Sequence, residues 1–447
     1  MLKNLVSSQR CARHNDDIID ADKSLLKVMT FRRLLSVIAV FSIASCDIQT
    51  PKTNTQRTES RSLRGGTPSP IATPAPAKPK SEIKEAQLIA VGDIMMHITQ
   101  TISGYDAKKQ TYNFDSFFAP VKSILSKGDW VTGNLETPLA GEDAGGYTGY
   151  PLFNAPVQLL DAAKKAGFNI LTTANNHALD RGEIGVIRTI ANLGDRKIAS
   201  TGTAKSKAAG DRILIVTKNN ISLAMLAYSY GTNGIPIPKG KDYLVSLIDE
   251  KQIIKDIAKA RKKGADAIAI SLHFGDEYQR QPNTQQKQLV ENILKAGADI
   301  ILGSHPHVVQ PYKIFKFKGK NGKTRKAVAI YSMGNFISGQ TQDYTDLGVI
   351  VQINIRKKFP EKTTEIISIK TIPTWVHRYT LNNKTNYRVL PLETTVTQKK
   401  DALLATSQYP VLKGYLQEMN NHLNSLNKKD KTAVKTAPTQ TNSASAE

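Results

Sequence analysis

Polar residues follow apolar runs at several separate places along the chain, and their types are those that bind metal ions. In the sequence GSHPH (303–307), His305 and His307 lie two positions apart, directly after the apolar run Ile300–Leu302. Neutral imidazole is the commonest metal ligand in proteins. In open α/β sheets, ligands bind beyond the carboxyl ends of the strands. Taken alone, the pair is equally compatible with two polar loop residues.

The same arrangement recurs elsewhere, which favours one shared site. Carboxylate, amide and imidazole side chains end other apolar runs at Asp93, Glu136, Asn176 with His177, His273 and Asn335. Five of the eight histidines lie in these segments, counting His97. Each residue has an ordinary alternative, such as a helix cap, a turn or a surface acid. Because the ends of neighbouring parallel strands meet at one edge of a sheet, we expect these groups to converge on one cleft.

The donor types indicate which cofactor the cleft would bind. Carboxylate, amide and imidazole together suit Mn, Fe or Zn, so we expect one or two divalent metal ions. Two ions that share a carboxylate would polarise a phosphoryl or carbonyl oxygen and activate water near neutral pH.

The elements that must position these residues alternate between strands and helices. Apolar runs predict strands at 88–91, 130–132, 169–173, 267–272, 300–302 and 327–331. Amphipathic patterns predict helices at 157–166, 185–193, 248–263 and 285–296. This alternation is typical of the α/β class. The later runs 349–355 and 365–372 are β-rich, and we expect them to pair with each other.

The N-terminal part has the pattern of an export signal. Arg32 and Arg33 precede the apolar run Leu34–Ile43, and small residues then lead to Cys46. This run is short for a membrane span and typical of a signal peptide. Its end resembles a bacterial lipobox, in which Cys46 would be lipidated; ordinary cleavage or an uncleaved anchor are the alternatives. Because residues 1–28 precede a well-formed signal, we expect Met29 to be the true start.

Composition divides the chain into five predicted segments. Residues 1–46 are the extension and lipoprotein signal peptide, and 47–86 form a disordered tether rich in Pro, Thr and Ser. Residues 87–395 form the folded domain, 396–427 a peripheral helical segment, and 428–447 a disordered tail. We therefore expect an exported lipoprotein, anchored on the outer face of the cytoplasmic membrane in the periplasm or at the cell surface.

The formal net charge of +23 indicates an anionic partner, although part of the excess lies in the predicted tether and tail. The chain has neither zinc-finger spacing nor an RNP-type aromatic motif, which makes nucleic acid an improbable partner.

Seven segments in order resemble one known family. They are AVGDIMMH (90–97), GNLETPLAG (133–141), YPLFNAP (150–156), TTANNHALDRG (172–182), HFGDEY (273–278), GSHPHVVQP (303–311) and YSMGNFI (331–337). Together they resemble the bacterial CapA family of capsule-synthesis, poly-γ-glutamate-biosynthesis proteins, over roughly residues 86–340. That family is related to calcineurin-like metallophosphoesterases, which implies a four-layer α/β/β/α sandwich.

The resemblance also implies a role for each motif residue. Metal ligands would be Asp93, Glu136 as the bridging carboxylate, Asn176, His273, His305 and His307. His177 would contact the substrate or leaving group, with Asp180 orienting it. His97 and Asn335 are further candidates. The sequence departs from the metallophosphoesterase pattern at Met95, where those enzymes have a histidine; a thioether is a poor ligand for hard divalent ions.

Three functions are compatible with these features. The first is an envelope protein of capsule synthesis or export, which would bind an anionic polymer such as poly-γ-glutamate, the membrane and other capsule-synthesis membrane proteins. The second is a metal-dependent hydrolase of an envelope phosphoester or amide, unrelated to capsule. The third is a catalytically silent polyanion-binding module.

Overall fold

The computed structural model describes residues 81–318, 322 and 324–427. The predicted signal peptide with Cys46, nearly all of the tether, and the tail at 428–447 lie outside the described residues.

The described part contains sixteen strands and ten α-helices. The strands are β1 Glu82–Ile94, β2 Tyr105–Asp106, β3 Thr111–Tyr112, β4 Trp130–Leu135, β5 Ile170–Thr172, β6 Ala199–Thr201, β7 Leu214–Lys218, β8 Ile221–Ser229, β9 Ala267–His273, β10 Ile300–Ser304, β11 Val309–Lys318, β12 Thr324–Met333, β13 Asn335–Ile337, β14 Leu347–Phe359, β15 Thr363–Leu381 and β16 Lys384–Pro391. The helices are α1 Ile98–Gly104, α2 Asp115–Phe118, α3 Lys122–Leu125, α4 Gln158–Ala166, α5 Gly182–Asp195, α6 Lys207–Gly210, α7 Glu250–Lys262, α8 Thr284–Lys295, α9 Leu392–Gln398 and α10 Gln408–Leu423.

Two sheets form the centre of the fold. The larger sheet has the order β16-β15-β14-β1-β4-β5-β6, with β13 beside the end of β1. The smaller sheet has the order β11-β12-β10-β9-β8-β7. Strands β1, β4, β5 and β6 run parallel, and so do β8, β9, β10 and β12. Their carboxyl ends therefore bring the loops that follow them together.

The strands read as continuous apolar runs because both faces of each sheet are covered. In β1, Leu88 and Ala90 face the core between the two sheets, whereas Ile89 and Val91 face helices on the outside. This alternation follows from the two-residue period of a strand. Outer helices α2 and α4 cover the larger sheet, and α7 and α8 cover the smaller one. The predicted α/β class and four-layer α/β/β/α sandwich are confirmed.

The folded part begins earlier than the predicted boundary at 87. Residues 82–86 belong to β1 and pair with β14, in a register that places Glu82 opposite Phe359. Because their side chains are largely charged, the sequence predicted that these residues belong to the tether. They form a strand because they pair with β14, more than 250 positions later in the chain.

Helix α10 packs into the fold, whereas the sequence predicted a peripheral segment at 396–427. Leu412, Met419 and Leu423 are buried in the core between the sheets. Two polar contacts also tie the helix to loops at the strand ends. Glu418 pairs with Arg280 at 2.6 Å, and His422 Nε2 donates to the Val309 carbonyl at 2.9 Å.

Along residues 81–427, as far as the structure describes them, no helix is both long enough and apolar enough to cross a membrane.

Candidate metal centre

The side chains predicted at the strand ends converge where the two sheets meet. The larger sheet contributes Asp93, the penultimate residue of β1, and Glu136, which directly follows β4. The smaller sheet contributes His273, the last residue of β9, and His305, the first residue after β10. Asp93, Glu136 and His273 are fully buried, and His305 is 4% exposed.

These side chains form two groups of possible metal ligands that share one carboxylate. Donor atoms of Asp93, Glu136 and His273 lie within 4.8 Å of one another, and so do those of Glu136, His305 and His307. Within the described residues, Glu136 Oε1 and His305 Nδ1 are buried without a hydrogen-bond partner. Orphaned acceptors of this kind are rare in folded proteins, and a cation would satisfy both. The donor set therefore fits one or two divalent ions.

Asn134 holds the two carboxylates in place. Its Nδ2 donates to Asp93 Oδ1 at 2.8 Å and lies 3.2 Å from Glu136 Oε2. Asn134 lies two positions before Glu136, on β4. One amide thus offsets part of the repulsion between two acids that are brought together out of water.

Neighbouring amide and hydroxyl groups orient the imidazole rings. His273 Nε2 lies 2.7 Å from Asn176 Oδ1, and its Nδ1 lies 2.9 Å from Ser304 Oγ. His307 Nδ1 lies 3.1 Å from Asn335 Oδ1 and 3.7 Å from the nearest carboxylate oxygen of Asp93. Such secondary contacts fix ring orientation at metal sites. Asn335 therefore acts on His307 from outside the two donor groups.

Burial shifts the protonation of the cluster in opposite directions for acids and bases. It raises the pKa of Glu136 well above the ordinary range, and nearby Asp93 raises it further. Burial lowers the pKa of His273 well below its usual value and the pKa of His305 to about 4. Both imidazoles are thus neutral at neutral pH, which is the form that binds metal.

The backbone of the segment 303–307, which carries His305 and His307, has conformations that most residue types rarely adopt. His305 has φ 100° and His307 has φ 61°, both in the left-handed region. Such conformations cost about 1–3 kcal/mol each in non-glycine residues and cluster at functional sites. Gly303 is required beside them, since a Cβ there would lie 1.8 Å from the Tyr331 carbonyl oxygen.

His177 and Asp180 form a buried pair beside the cluster. His177 Nδ1 lies 2.7 Å from Asp180 Oδ2, which also accepts from the Phe153 amide at 2.7 Å. The carboxylate holds the imidazole in the tautomer that is protonated on Nδ1. His177 Nε2, which lies 3.5 Å from Asn233 Nδ2, is then the ring nitrogen that can exchange a proton with a bound molecule.

The structure does not bring His97 into either donor group. Its Nδ1 accepts from the Gly339 amide at 3.2 Å, and its ring packs edge-on against Phe153 at 5.2 Å. Met95 is buried, with its sulfur 4.0 Å from Ser338 Oγ. Both residues pack against the segment after β13.

Two asparagines that sequence reasoning missed belong to the site. Asn134 lies in the GNLE motif, and its position at the end of β4, two residues before Glu136, could have identified it. Asn233 lies in the loop after β8, where its side chain accepts from Asn176 Nδ2 at 2.9 Å. No periodicity or motif in that loop indicates such a role.

Two of the known proteins that the chain resembles in sequence are both named CapA. The chain is 30% identical over 291 residues to the capsule biosynthesis protein CapA of Bacillus anthracis, covering 63% of this chain and 66% of that protein. It is 29% identical over 320 residues to the PGA biosynthesis protein CapA of Bacillus subtilis, covering 69% and 78%. The chain thus spans just under two thirds of the length of the Bacillus anthracis relative.

Similar solved structures include a calcineurin-like phosphoesterase from Bacillus subtilis, with a TM-score of 0.36, 13% identity, and coverage of 78% of this chain and 100% of that one. A phosphatase from Mycoplasma pneumoniae has a TM-score of 0.38 and 14% identity, with coverage of 65% and 94%. The family model described as bacterial capsule synthesis protein PGA_cap matches residues 87–340. Since this match covers more than half of the chain, the protein belongs to the bacterial capsule synthesis family.

Proposed function

We propose that this protein acts in the synthesis or export of an anionic capsule polymer, and that its buried cluster binds one or two divalent ions, Mn, Fe or Zn, to hydrolyse a phosphoester or amide bond. The observation that carries the proposal is the position of Glu136. Its carboxylate belongs to both donor groups, and its Oε1 is buried without a partner in the described part of the chain. A carboxylate so placed would help to hold a divalent ion in either donor group.

The chain's own residues supply the other parts of such a reaction. The bound metal would act as a Lewis acid on the scissile phosphoryl or carbonyl group. Asp180 accepts from His177 Nδ1 at 2.7 Å, which stabilises the doubly protonated imidazolium whose Nε2 proton would pass to the leaving group. One water molecule would add to the phosphorus or carbonyl carbon as the bond to the leaving group breaks, and burial keeps bulk water out and strengthens each of these electrostatic contacts.

Charge and relatives favour an anionic polymer as the partner. The net charge of +23 provides many weak attractions for a polyanion, and the Bacillus subtilis relative is named for PGA biosynthesis. Poly-γ-glutamate fits both features. We further propose that lipidated Cys46 anchors the protein on the outer face of the cytoplasmic membrane, beside other capsule-synthesis membrane proteins.

One experiment tests the metal and the hydrolysis together. The full chain is stripped with chelator, reloaded with Mn²⁺ and assayed for bound metal and for hydrolysis of a generic phosphodiester and of poly-γ-glutamate. We expect turnover in the wild type and at least a 100-fold loss in His307→Ala. The matched control is His377→Gln, which replaces a buried imidazole outside both donor groups. A wild type that neither binds Mn²⁺ nor hydrolyses either compound refutes the hydrolase proposal.

A parallel binding assay tests the polymer. Poly-γ-glutamate should bind with an affinity that falls steeply with salt concentration. Binding no stronger than that of a charge-matched synthetic polyanion would refute the polymer proposal.

The second candidate function is a catalytically silent polyanion-binding module. The presence of Met95 favours it. This residue stands where metallophosphoesterases have a histidine, and it packs against Ser338 in the structure. Binding of Mn²⁺ and polymer without hydrolysis would select this candidate over the hydrolase.

A further inference from the structure

The turn that follows β8 contacts four of the predicted site residues, namely Asn176, His177, His273 and His305. It consists of Tyr230 to Gly234, and neither the family motifs nor the donor groups include it. Asn233 accepts from Asn176 Nδ2 at 2.9 Å, and its own Nδ2 lies 3.5 Å from His177 Nε2. One exposed side chain thus joins a predicted ligand to the predicted proton donor.

The contact with Asn233 determines which way the Asn176 amide points. Because Asn176 Nδ2 donates to Asn233, the amide oxygen faces the cluster and lies 2.7 Å from His273 Nε2. A flipped amide would present NH₂ to the cluster, and this group cannot bind a cation. The Asn233 acceptor therefore favours the one orientation in which Asn176 can act as an oxygen ligand.

Tyr230 covers an imidazole of the second donor group. Its ring centroid lies 4.5 Å from that of His305 and 6.3 Å from that of His273, nearly parallel to the latter. Tyr230 remains 49% exposed, so one face of its ring packs on the histidines and the other faces solvent. The His305 ring is thereby limited to a narrow range of orientations.

The turn itself is fixed by local hydrogen bonds. Ser229 Oγ donates to the Gly231 carbonyl at 2.8 Å, and Thr232 Oγ1 donates to the Ile235 carbonyl at 2.7 Å. Asn233 has φ 50°, a left-handed conformation that asparagine adopts more readily than most residues. The turn can therefore present Asn233 in one orientation before any metal binds.

We propose that the turn 230–234 is a positioning device for the metal centre, in which Asn233 sets Asn176 as an oxygen ligand and Tyr230 holds the ring of His305. The inference rests on the metal binding of the proposed function. Asn233 and Tyr230 act through the ligands, as surrounding groups do at metal sites, where their loss typically lowers metal affinity 10–100-fold.

Titration of the full chain with Co²⁺ tests the inference, because the visible absorption of Co²⁺ reports its ligands without any need for turnover. Asn233→Ala should weaken Co²⁺ binding at least 10-fold and shift the absorption bands. Asn233→Asp keeps an oxygen acceptor for Asn176 Nδ2, so it should retain Co²⁺ affinity within about 3-fold of wild type. Tyr230→Phe should keep the wild-type spectrum, and Tyr230→Leu should alter it.

The control is Asn382→Ala, which removes another exposed asparagine with φ 52° in the turn between β15 and β16. Asn382→Ala should bind Co²⁺ with the wild-type affinity. In the absence of metal, Asn233→Ala and Asn382→Ala should have the same Tm. Unchanged Co²⁺ affinity and spectrum in Asn233→Ala would overturn the inference while the proposed function stands. If Asn233→Asp weakens Co²⁺ binding as much as Asn233→Ala does, the role of the Asn233 oxygen as acceptor for Asn176 Nδ2 is overturned. A wild type that binds no Co²⁺ overturns the proposed metal site itself.

Discussion

Replacing Glu136 by glutamine should stabilise the metal-free protein and remove its stabilisation by metal. Burial raises the pKa of Glu136 in the folded chain, and Asp93 raises it further. The folded state then binds more protons than the unfolded state between pH 4.5 and the folded pKa, so the free energy of unfolding falls as pH rises through that window. The penalty is absent at lower pH and complete above the folded pKa.

The size of the effect follows from the contacts of the carboxylate. Among the described residues, Glu136 Oε1 has no hydrogen-bond partner, and leaving a buried charged group unpaired costs about 1–3 kcal/mol or more. The Glu136→Gln change should recover this amount near neutral pH, which corresponds to roughly 1–4 °C in Tm for a domain of this size. Metal at 100 times its Kd stabilises the wild type by about 2.7 kcal/mol, and the variant should gain none of it.

Scanning calorimetry at pH 7.5 and pH 4, with EDTA or with Mn²⁺, measures both effects. The control is Glu365→Gln, an exposed acid paired with Lys358 whose loss should change stability little. Destabilisation of the EDTA-treated protein by Glu136→Gln would refute the strained-carboxylate argument. An undiminished Tm gain from Mn²⁺ in the variant would show that Glu136 is not a ligand.

Two further predictions concern other parts of the chain. Burial, followed by Arg388, lowers the pKa of His377 from 6.5 to about 4, so stability should be lost as pH falls through that window. Allowing for screening by nearby solvent, the wild type should lose about 1–2 kcal/mol from this residue between pH 7 and pH 5 in urea unfolding, and a loss just as large in His377→Gln would contradict the assignment. Cys46→Ser should move the protein from the membrane fraction to the soluble fraction after cell breakage; continued membrane retention would rule out anchoring through a lipid on Cys46.

The strand ends could be located from the sequence because the burial of a strand determines the residue types of that same segment. A strand buried on both faces leaves a continuous apolar run, and the polar residues in the next few positions mark the edge of the sheet. This rule located Asp93, Glu136, His273 and His305, which the structure brings together. The paired β-rich runs were also correct, since β14 and β15 are antiparallel neighbours.

Contacts between distant segments could not be predicted in this way. Asn233 reaches Asn176 across 57 positions, and nothing in its own loop indicates the partner. Helix α10 has only a narrow apolar stripe, Leu412, Met419 and Leu423, so its sequence favoured a peripheral position. His97 shows the converse case, because a histidine close to a motif in sequence makes its contacts with Gly339 instead.

The contacts of helix α10 show that the region matched by the family model is shorter than the part of the chain that must fold as one unit. The family match ends at residue 340, yet Glu418 and His422 contact Arg280 in the loop after β9 and Val309 at the start of β11, beside the candidate metal centre. Strand β14, also beyond the match, is the antiparallel neighbour of β1. A fragment trimmed to the match would turn the strand that carries Asp93 into an open sheet edge, prone to pairing with other chains. Expression trials designed on the match alone should therefore yield aggregates that would be mistaken for an unstable family fold.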